Sequence, residues 1–127
     1  MMKKGWFAGG LLILLVGLSL WHVATMGKLT EELWDTLAQA EEQAERGDWE
    51  EAARLTEQAK KRWKDRDFYL HVTLQHKAMD EVRVGFAEVE EFLQNRESGE
   101  YSAANARLMN QLALLGEAEK LTLENLL

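Results

Sequence analysis

The stretch that decides the fold is RGDWEEAARLTEQAKKRW, residues 46–63, which places two tryptophans fourteen positions apart in an otherwise highly charged segment. Counted from Trp49, small or apolar positions follow at +3, +7, +10 and +14: Ala52, Thr56, Ala59 and Trp63. These positions share one stripe of an α-helix with 3.6 residues per turn. The two tryptophans are therefore predicted to lie at the two ends of one buried helical face.

The residues before this helix indicate a helical hairpin. Gly47 can end a preceding helix, and Asp48 with Glu51 three residues later has the pattern of an N-cap and a capping box. Upstream, the apolar residues keep the same three-four spacing: Leu29, Leu33, Leu37, Ala40 and Ala44. We expect two antiparallel helices joined by a tight turn, with small side chains near the turn that let the two backbones approach closely.

A second hairpin is predicted after it. The first of its helices has apolar positions that alternate four-three over more than three heptads, with one polar member: Phe68, Val72, Gln75, Met79, Val82, Phe86, Val89 and Leu93. This helix is predicted to be about 26 residues long and to end near NRESGEY, residues 95–101. A fourth amphipathic stretch follows: Tyr101, Ala104, Leu108, Leu112 and Leu115. Gly116 interrupts that stretch, after which the chain continues as a kinked helix or forms a separate turn.

The composition favours helices throughout. The 127 residues include no proline, and 46% of them are hydrophobic. The predicted fold class is all-α, with an N-terminal transmembrane helix followed by an antiparallel bundle of about four helices in two hairpins. The absence of cysteine excludes disulfides, thiolate zinc sites, iron-sulfur clusters and cysteine nucleophiles.

The predicted membrane span is GWFAGGLLILLVGLSLWHVATMG, residues 5–27, a run of 23 residues without a formal charge. At 1.5 Å per residue it reaches about 34 Å, enough to cross a hydrocarbon core of about 30 Å. A cleavable signal peptide is the alternative, but the following residues offer no good pair of small side chains for cleavage. Lys3 and Lys4 precede the span, so the N-terminus is expected in the cytoplasm. The predicted domains are a membrane anchor, residues 1–28, and an extracytoplasmic bundle, residues 29–127.

The charge of the predicted bundle limits its partners. Beyond Lys28 there are 22 acidic and 12 basic residues, a net charge of about −10. Nucleic acid and anionic lipid surfaces are therefore not expected as partners of this domain. The basic stretch KKRWKDR, residues 60–66, is interpreted as a helix end, where cations complement the helix dipole.

The sequence offers little material for catalysis. It contains no Gly-rich phosphate loop, no Gly-x-Ser-x-Gly and no His-Glu-x-x-His, so we expect no enzyme and no cofactor. His76 and Asp80 are four residues apart, and on a helix they could share a metal ion or a proton. The alternative is a salt-bridged or capping pair that fixes helix register. Covalently attached haem is excluded because there is no Cys-x-x-Cys-His.

Several segments, in order, resemble a known family. They are a lysine-rich start with a single span, GDWEEA at residues 47–52, QHKAMDEV at residues 75–82 and KLTLENLL at residues 120–127. Together they resemble the DUF4363 family of uncharacterised small single-pass membrane proteins from spore-forming Gram-positive bacteria. The family has a more acidic and branched pair where this sequence has Ala78 and Met79. The resemblance implies a bacterial helical domain outside the cytoplasmic membrane and a multi-pass membrane protein as partner, and it brings no catalytic residue.

The favoured function is a non-enzymatic, membrane-anchored bundle that binds another membrane or envelope protein. Trp34, Trp63 and Tyr101 are the candidate contact residues if they are exposed, and core residues otherwise. The alternative is an extracytoplasmic metal or small-ligand sensor that uses His76 and Asp80. Homo-oligomerisation stays open.

Overall fold

The structure, a computed structural model, describes residues 2–66 and 76–126 of the chain. Four helices occupy these residues: α1 is Met2–Glu45, α2 is Trp49–Asp65, α3 is His76–Gln94 and α4 is Ser98–Leu126. The two described ranges contain no β-strand. The predicted all-α class is confirmed for this part of the chain.

The four helices form a bundle in which each helix packs against two others. The neighbouring pairs are α1 with α2, α2 with α3, α3 with α4, and α4 with α1. The neighbours run antiparallel: near one end of the bundle Ser102 Oγ lies 3.2 Å from Glu41 Oε1, and further along α4 the backbone of Gly116 lies against Thr30. Both short turns, α1 to α2 and α3 to α4, therefore lie at the same end of the bundle.

The core consists largely of the stripes read from the sequence. Its buried apolar members are Leu29, Leu33, Leu37, Ala40 and Ala44 from α1; Ala52, Leu55, Ala59 and Trp63 from α2; Met79, Val82, Phe86, Val89 and Leu93 from α3; and Tyr101, Ala104, Leu108 and Leu112 from α4. Trp49 is only half-buried, and its ring meets that of Tyr101 edge-on, with 6.0 Å between the ring centroids. The predicted helix over residues 68–93 is confirmed from His76, and Phe68, Val72 and Gln75 lie outside the described residues.

The two turns close with the same hydrogen-bond pattern. In the first, Asp48 N donates to Gln43 O at 2.9 Å and Gly47 N to Ala44 O at 3.0 Å, with Gly47 at φ +85°. In the second, Glu97 N donates to Phe92 O at 3.0 Å and Arg96 N to Leu93 O at 3.2 Å, with Arg96 at φ +53°. Each is a Schellman motif, which requires a left-handed residue just after the helix.

The start of α2 confirms the N-cap but only half of the predicted capping box. Asp48 Oδ1 accepts from Glu51 N at 3.1 Å. The reciprocal bond from the Asp48 amide does not form, because that amide donates to Gln43 O. The Glu51 carboxylate instead pairs with Arg54, with 2.6 Å between Oε1 and Nη2.

Helix α1 is one uninterrupted element of 44 residues, about 66 Å long. It crosses the predicted boundary between residues 28 and 29 without a break. The part of α1 before this boundary, its outer half, therefore shares one helix axis with the part that belongs to the bundle. Large apolar side chains of the first half are exposed, among them Trp6 and Phe7 at 85% and 78%. Among the described residues, no helix combines the length and the apolar character that a bilayer crossing requires.

Helix α4 continues through Gly116 to Leu126, so the alternative of a separate final turn is wrong. A Cβ at position 116 would lie 2.8 Å from Thr30 Oγ1. The glycine thus lets α4 approach α1 closely. At the other seam, a Cβ at Gly85 of α3 would lie 2.9 Å from Leu108 Cδ1, which identifies the same device between α3 and α4.

Candidate functional site: the groove between α1 and α4

An open groove lies between α1 and α4, at the end of the bundle opposite the two turns. Its volume is about 380 Å³. Eight residues line it: Gly27, Thr30, Glu31, Trp34 and Asp35 from α1, and Ala113, Gly116 and Glu117 from α4. We call this feature the α1/α4 groove.

The shape of the α1/α4 groove follows from residue size. Gly27, Ala113 and Gly116 have little or no side chain, so the surface between the two helices is left uncovered. The Thr30 side chain fills the closest approach of the helices and donates to Gly27 O at 3.2 Å. The Trp34 indole stands at the wall and is 42% exposed.

The electrostatics of the α1/α4 groove are acidic. Glu31, Asp35 and Glu117 are exposed and line it. In the described part of the chain none of these three carboxylates has an ion-pair partner, whereas the adjacent Glu32 pairs with Arg62 at 3.8 Å. An indole beside unpaired carboxylates is a surface suited to cationic groups, which carboxylates attract and aromatic faces can hold.

The structure separates the three aromatic residues that the sequence suggested as contacts. Trp34 is exposed in the α1/α4 groove. Trp63 and Tyr101 are only 5% and 1% exposed and belong to the core, so they are corrected to packing residues. The physical reason is position: both lie on the regular stripes of their helices, while Trp34 lies about 100° around α1 from the buried Leu33.

Tyr101 has an unusual environment within that core. Its hydroxyl is buried and has no hydrogen-bond partner among the described residues. Burial raises the pKa of the phenol above its ordinary value, and the charges of Glu41 and Glu45 raise it further. The hydroxyl is thus held neutral, which suits packing rather than proton transfer near neutral pH.

Helix α4 carries one buried polar residue that was not predicted. Asn105 is fully buried, and its Nδ2 donates to Leu37 O at 3.1 Å across the α1 and α4 seam. Its Oδ1 has no partner in the described residues. Asn105 lies four residues after Tyr101 and three before Leu108, so its spacing belongs to the buried face, and only the polarity of its amide argued against burial.

The predicted metal pair is only partly visible. His76 is the first residue of α3, and its side chain lies outside the described residues. Asp80 is exposed and pairs with Arg83, with 2.7 Å between Oδ1 and Nη2. In the residues that the structure describes, no three potential metal-ligating side chains come together. Metal or ligand binding by His76 and Asp80 stays a prediction.

Asp80 also lines a second groove, between α3 and α4, of about 600 Å³. Its walls carry Asp80, whose partner Arg83 lies outside the lining, and the Glu88 and Arg107 pair, with 3.3 Å between Oε2 and Nη2. Because cations already neutralise these two carboxylates, this groove has less unbalanced charge than the α1/α4 groove.

Comparison with known proteins gives one finding. A family model described as "Domain of unknown function (DUF4363)" matches residues 20–126. The match covers the whole bundle and the last residues of the apolar stretch. No curated protein and no solved structure matches the chain.

Proposed function

The chain belongs to the DUF4363 family, and we propose that it is a membrane-anchored helical bundle that serves as an interaction or accessory subunit of a membrane or envelope complex. The proposal has two parts. The first half of α1 is the anchor, and the α1/α4 groove is the contact surface.

The observation that carries the proposal is the exposure of the first half of α1. Residues 5–15 are all exposed, and their large apolar members are Trp6, Phe7, Leu11, Leu12, Ile13, Leu14 and Leu15. Successive residues are 100° apart, so eleven consecutive positions cover the full circumference of the helix. A partner protein on one side would leave the other side in water, whereas a bilayer covers every side.

The proposed orientation rests on charge. Lys3 and Lys4 precede the uncharged stretch, and the single Lys28 after it is soon followed by Glu31 and Glu32. The excess of lysine on the N-terminal side favours a cytoplasmic N-terminus. The bundle then stands outside the membrane, with the α1/α4 groove at its membrane-proximal end.

The contact surface is proposed from exposure and position. Trp34 and Leu114, 42% and 54% exposed, are two of the three large apolar side chains that remain exposed beyond Trp21 in the described residues, and both lie near the membrane-proximal end. Exposed aromatic side chains beside a concave surface are typical of protein interfaces. A groove so near the lipid favours a partner that is itself held at the membrane.

The anchor is tested by placing charge in the apolar half. The full chain with Leu15→Arg/Leu18→Arg is expected to disappear from alkali-washed membranes. Each arginine near the bilayer centre is unfavourable by about 2.5–3.5 kcal/mol. The matched control is Ala103→Arg/Ala106→Arg, which has the same spacing on the exposed face of α4. Equal retention of both variants in the membrane would overturn the anchor.

The orientation and the contact surface need separate measurements. Since the chain has no cysteine, Ala106→Cys provides a single site, and a membrane-impermeant maleimide is expected to label it in intact cells. Labelling only after lysis would reverse the orientation.

The contact surface is tested by photo-cross-linking in native membranes. A photoreactive side chain at Ala113 is expected to form protein adducts, and one at Ala103 is not. Adducts that Trp34→Ala leaves unchanged would exclude the groove as the contact surface.

A further inference from the structure

A surface of opposite charge to the α1/α4 groove lies on the same chain, at the end of α2. Lys61, Lys64 and Arg66 are exposed there and form no ion pair with any described residue. The neighbouring Lys60 and Arg62 pair with Glu90 and Glu32 of adjacent helices, at 3.0 and 3.8 Å. The last turns of α2 therefore present unpaired cations, and we call Lys61, Lys64 and Arg66 the α2 basic end.

The two surfaces lie at the same height along the bundle. The Arg62 and Glu32 pair sets the register of the antiparallel helices α2 and α1. Glu31 and Asp35 are one and three residues from Glu32, and Lys61 and Lys64 are one and two residues from Arg62. At 1.5 Å per residue, all four lie within about one helical turn of the same level.

The two surfaces cannot meet within one molecule. The α1/α4 groove opens between α1 and α4, while α2 packs against α1 and α3 and has no packing contact with α4 in the described residues. Complementary charges at one height on different faces are matched only when a second molecule stands beside the first.

We propose that the occupant of the α1/α4 groove is the α2 basic end of a second copy of this chain. The proposal rests on the proposed membrane anchor, because anchored copies share one orientation and one height and so bring the two surfaces face to face without tilting. Confinement to the membrane also raises the local concentration of copies, which lets a few exposed charge pairs and the Trp34 indole suffice. Since different surfaces meet, the contact is head-to-tail and can extend beyond a dimer or close into a ring.

The test is cross-linking of the full chain in native membranes. The chain has no cysteine of its own, so Ala113→Cys marks the groove and Asp65→Cys, one turn beyond Lys61, marks the α2 basic end. With a short bismaleimide, the double variant is expected to give a ladder at whole multiples of the chain's mass. Each single variant carries one thiol and can form at most a cross-linked dimer, and it is expected to form none, because neither surface meets itself in a head-to-tail contact. Dimers from the single variants, or no ladder from the double variant, would overturn the proposal.

Charge reversal in that double-cysteine background identifies the forces. Glu31→Lys/Asp35→Lys is expected to lower the ladder yield about tenfold, since attraction becomes repulsion. Adding Lys61→Glu/Lys64→Glu to the same chain exchanges the signs of both surfaces and is expected to restore the yield. All four side chains are exposed, so loss of the fold is not expected, and recovery on the second pair excludes it. A reversed groove that keeps its ladder, or a full exchange that does not recover it, contradicts the proposal.

A matched control separates the site from net charge. Glu42→Lys/Glu91→Lys makes the same change in net charge on exposed residues near the turns, away from both surfaces, and it is expected to leave the ladder unchanged. Membrane retention is measured on the same samples. If the double-cysteine chain without charge changes stays in the membrane and gives no ladder, the second copy alone is refuted, whereas its loss from the membrane refutes the anchor. Adducts only at masses that are not multiples of the chain identify another partner and overturn the proposal.

Discussion

The hairpin of α1 and α2 and the hairpin of α3 and α4 turn through the same hydrogen bonds but pack side chains of different size. Alanines dominate the first near its turn: Ala40, Ala44 and Ala52 are buried. The second holds large side chains, Phe86, Leu93, Tyr101 and Leu108, and has Gly85 where Leu108 lies closest. One backbone motif thus accommodates two ways of packing helices: small residues beside the turn, or large residues with a local gap.

The largest effect is expected from truncation of Phe86, a large buried side chain of the second hairpin. Phe86→Ala is expected to lower the free energy of unfolding by about 3–5 kcal/mol, because Phe86 is 1% exposed and its loss leaves a cavity. Thermal unfolding of the full chain in detergent, followed by circular dichroism, measures it. Phe92→Ala, at a partly buried position, is the control with a smaller expected loss. Equal losses would mean that the second hairpin does not depend on this packing.

The next effect concerns the unpartnered hydroxyl of the same hairpin. Tyr101→Phe is expected to raise the free energy of unfolding by about 1–2 kcal/mol, since it removes a buried polar group without a partner. Because the pKa of the Tyr101 phenol is raised in the fold, the unfolded chain loses this proton first as pH rises above the ordinary value of 10.0. This proton loss lowers the free energy of unfolding, and it has no effect below that pH. The wild-type chain is therefore expected to lose stability above about pH 10 more steeply than the variant. A less stable variant at neutral pH would contradict this account.

The turns provide a smaller and opposite pair of changes. Gly47→Ala is expected to lower the free energy of unfolding by about 1 kcal/mol, and Arg96→Gly to raise it by about 0.5–1 kcal/mol. Both positions have positive φ, which glycine adopts without strain and arginine does not. Chemical denaturation of the two variants measures the pair. If both changes have the same sign, the two turns are not equivalent.

The smallest effect lies at the exposed start of α2. The hydrogen bond from Arg54 lowers the pKa of the Glu51 carboxyl below its ordinary value. Its contribution is present above that ordinary value and is lost as pH falls through the lowered one. Glu51→Gln is expected to make acid unfolding slightly less steep, whereas Glu50→Gln, in the same first turn but without an ion pair among the described residues, is not. Acid titrations of both variants that superimpose would remove the ion pair from the account.

The helical stripes were predictable because burial of a helix face imposes a three-four period on apolar residues. The location of the second turn was also predicted, near NRESGEY, but its left-handed residue was not. The segment GDWEEAARL at Gly47 resembles GEYSAANARL at Gly99, which would align Gly99 with Gly47, but Gly99 lies inside α4 and Arg96 adopts the left-handed conformation. The residue that corresponds to Gly47 is therefore Arg96, three residues before Gly99. A shift of three residues is nearly one helical turn, so the same face of the helix still points inward.

The α1/α4 groove was harder to predict for a related reason. It brings together residues more than seventy positions apart, and Gly116 was interpreted as an interruption when it is a point of close approach. Trp34 lies directly after a core leucine, so its exposure depends on how α4 packs beside α1. Local periodicity contains no information on that packing.

The unbroken course of α1 has a mechanical consequence. Without a hinge between the apolar half and the bundle, torsion applied to the outer half is transmitted to the core, and a turn of one about the helix axis turns the other by the same angle. Inserting a single alanine after Gly27 would rotate the bundle by about 100° and lift it by about 1.5 Å relative to the outer half. The azimuth at which the bundle faces its surroundings is thus set by the number of residues in one helix.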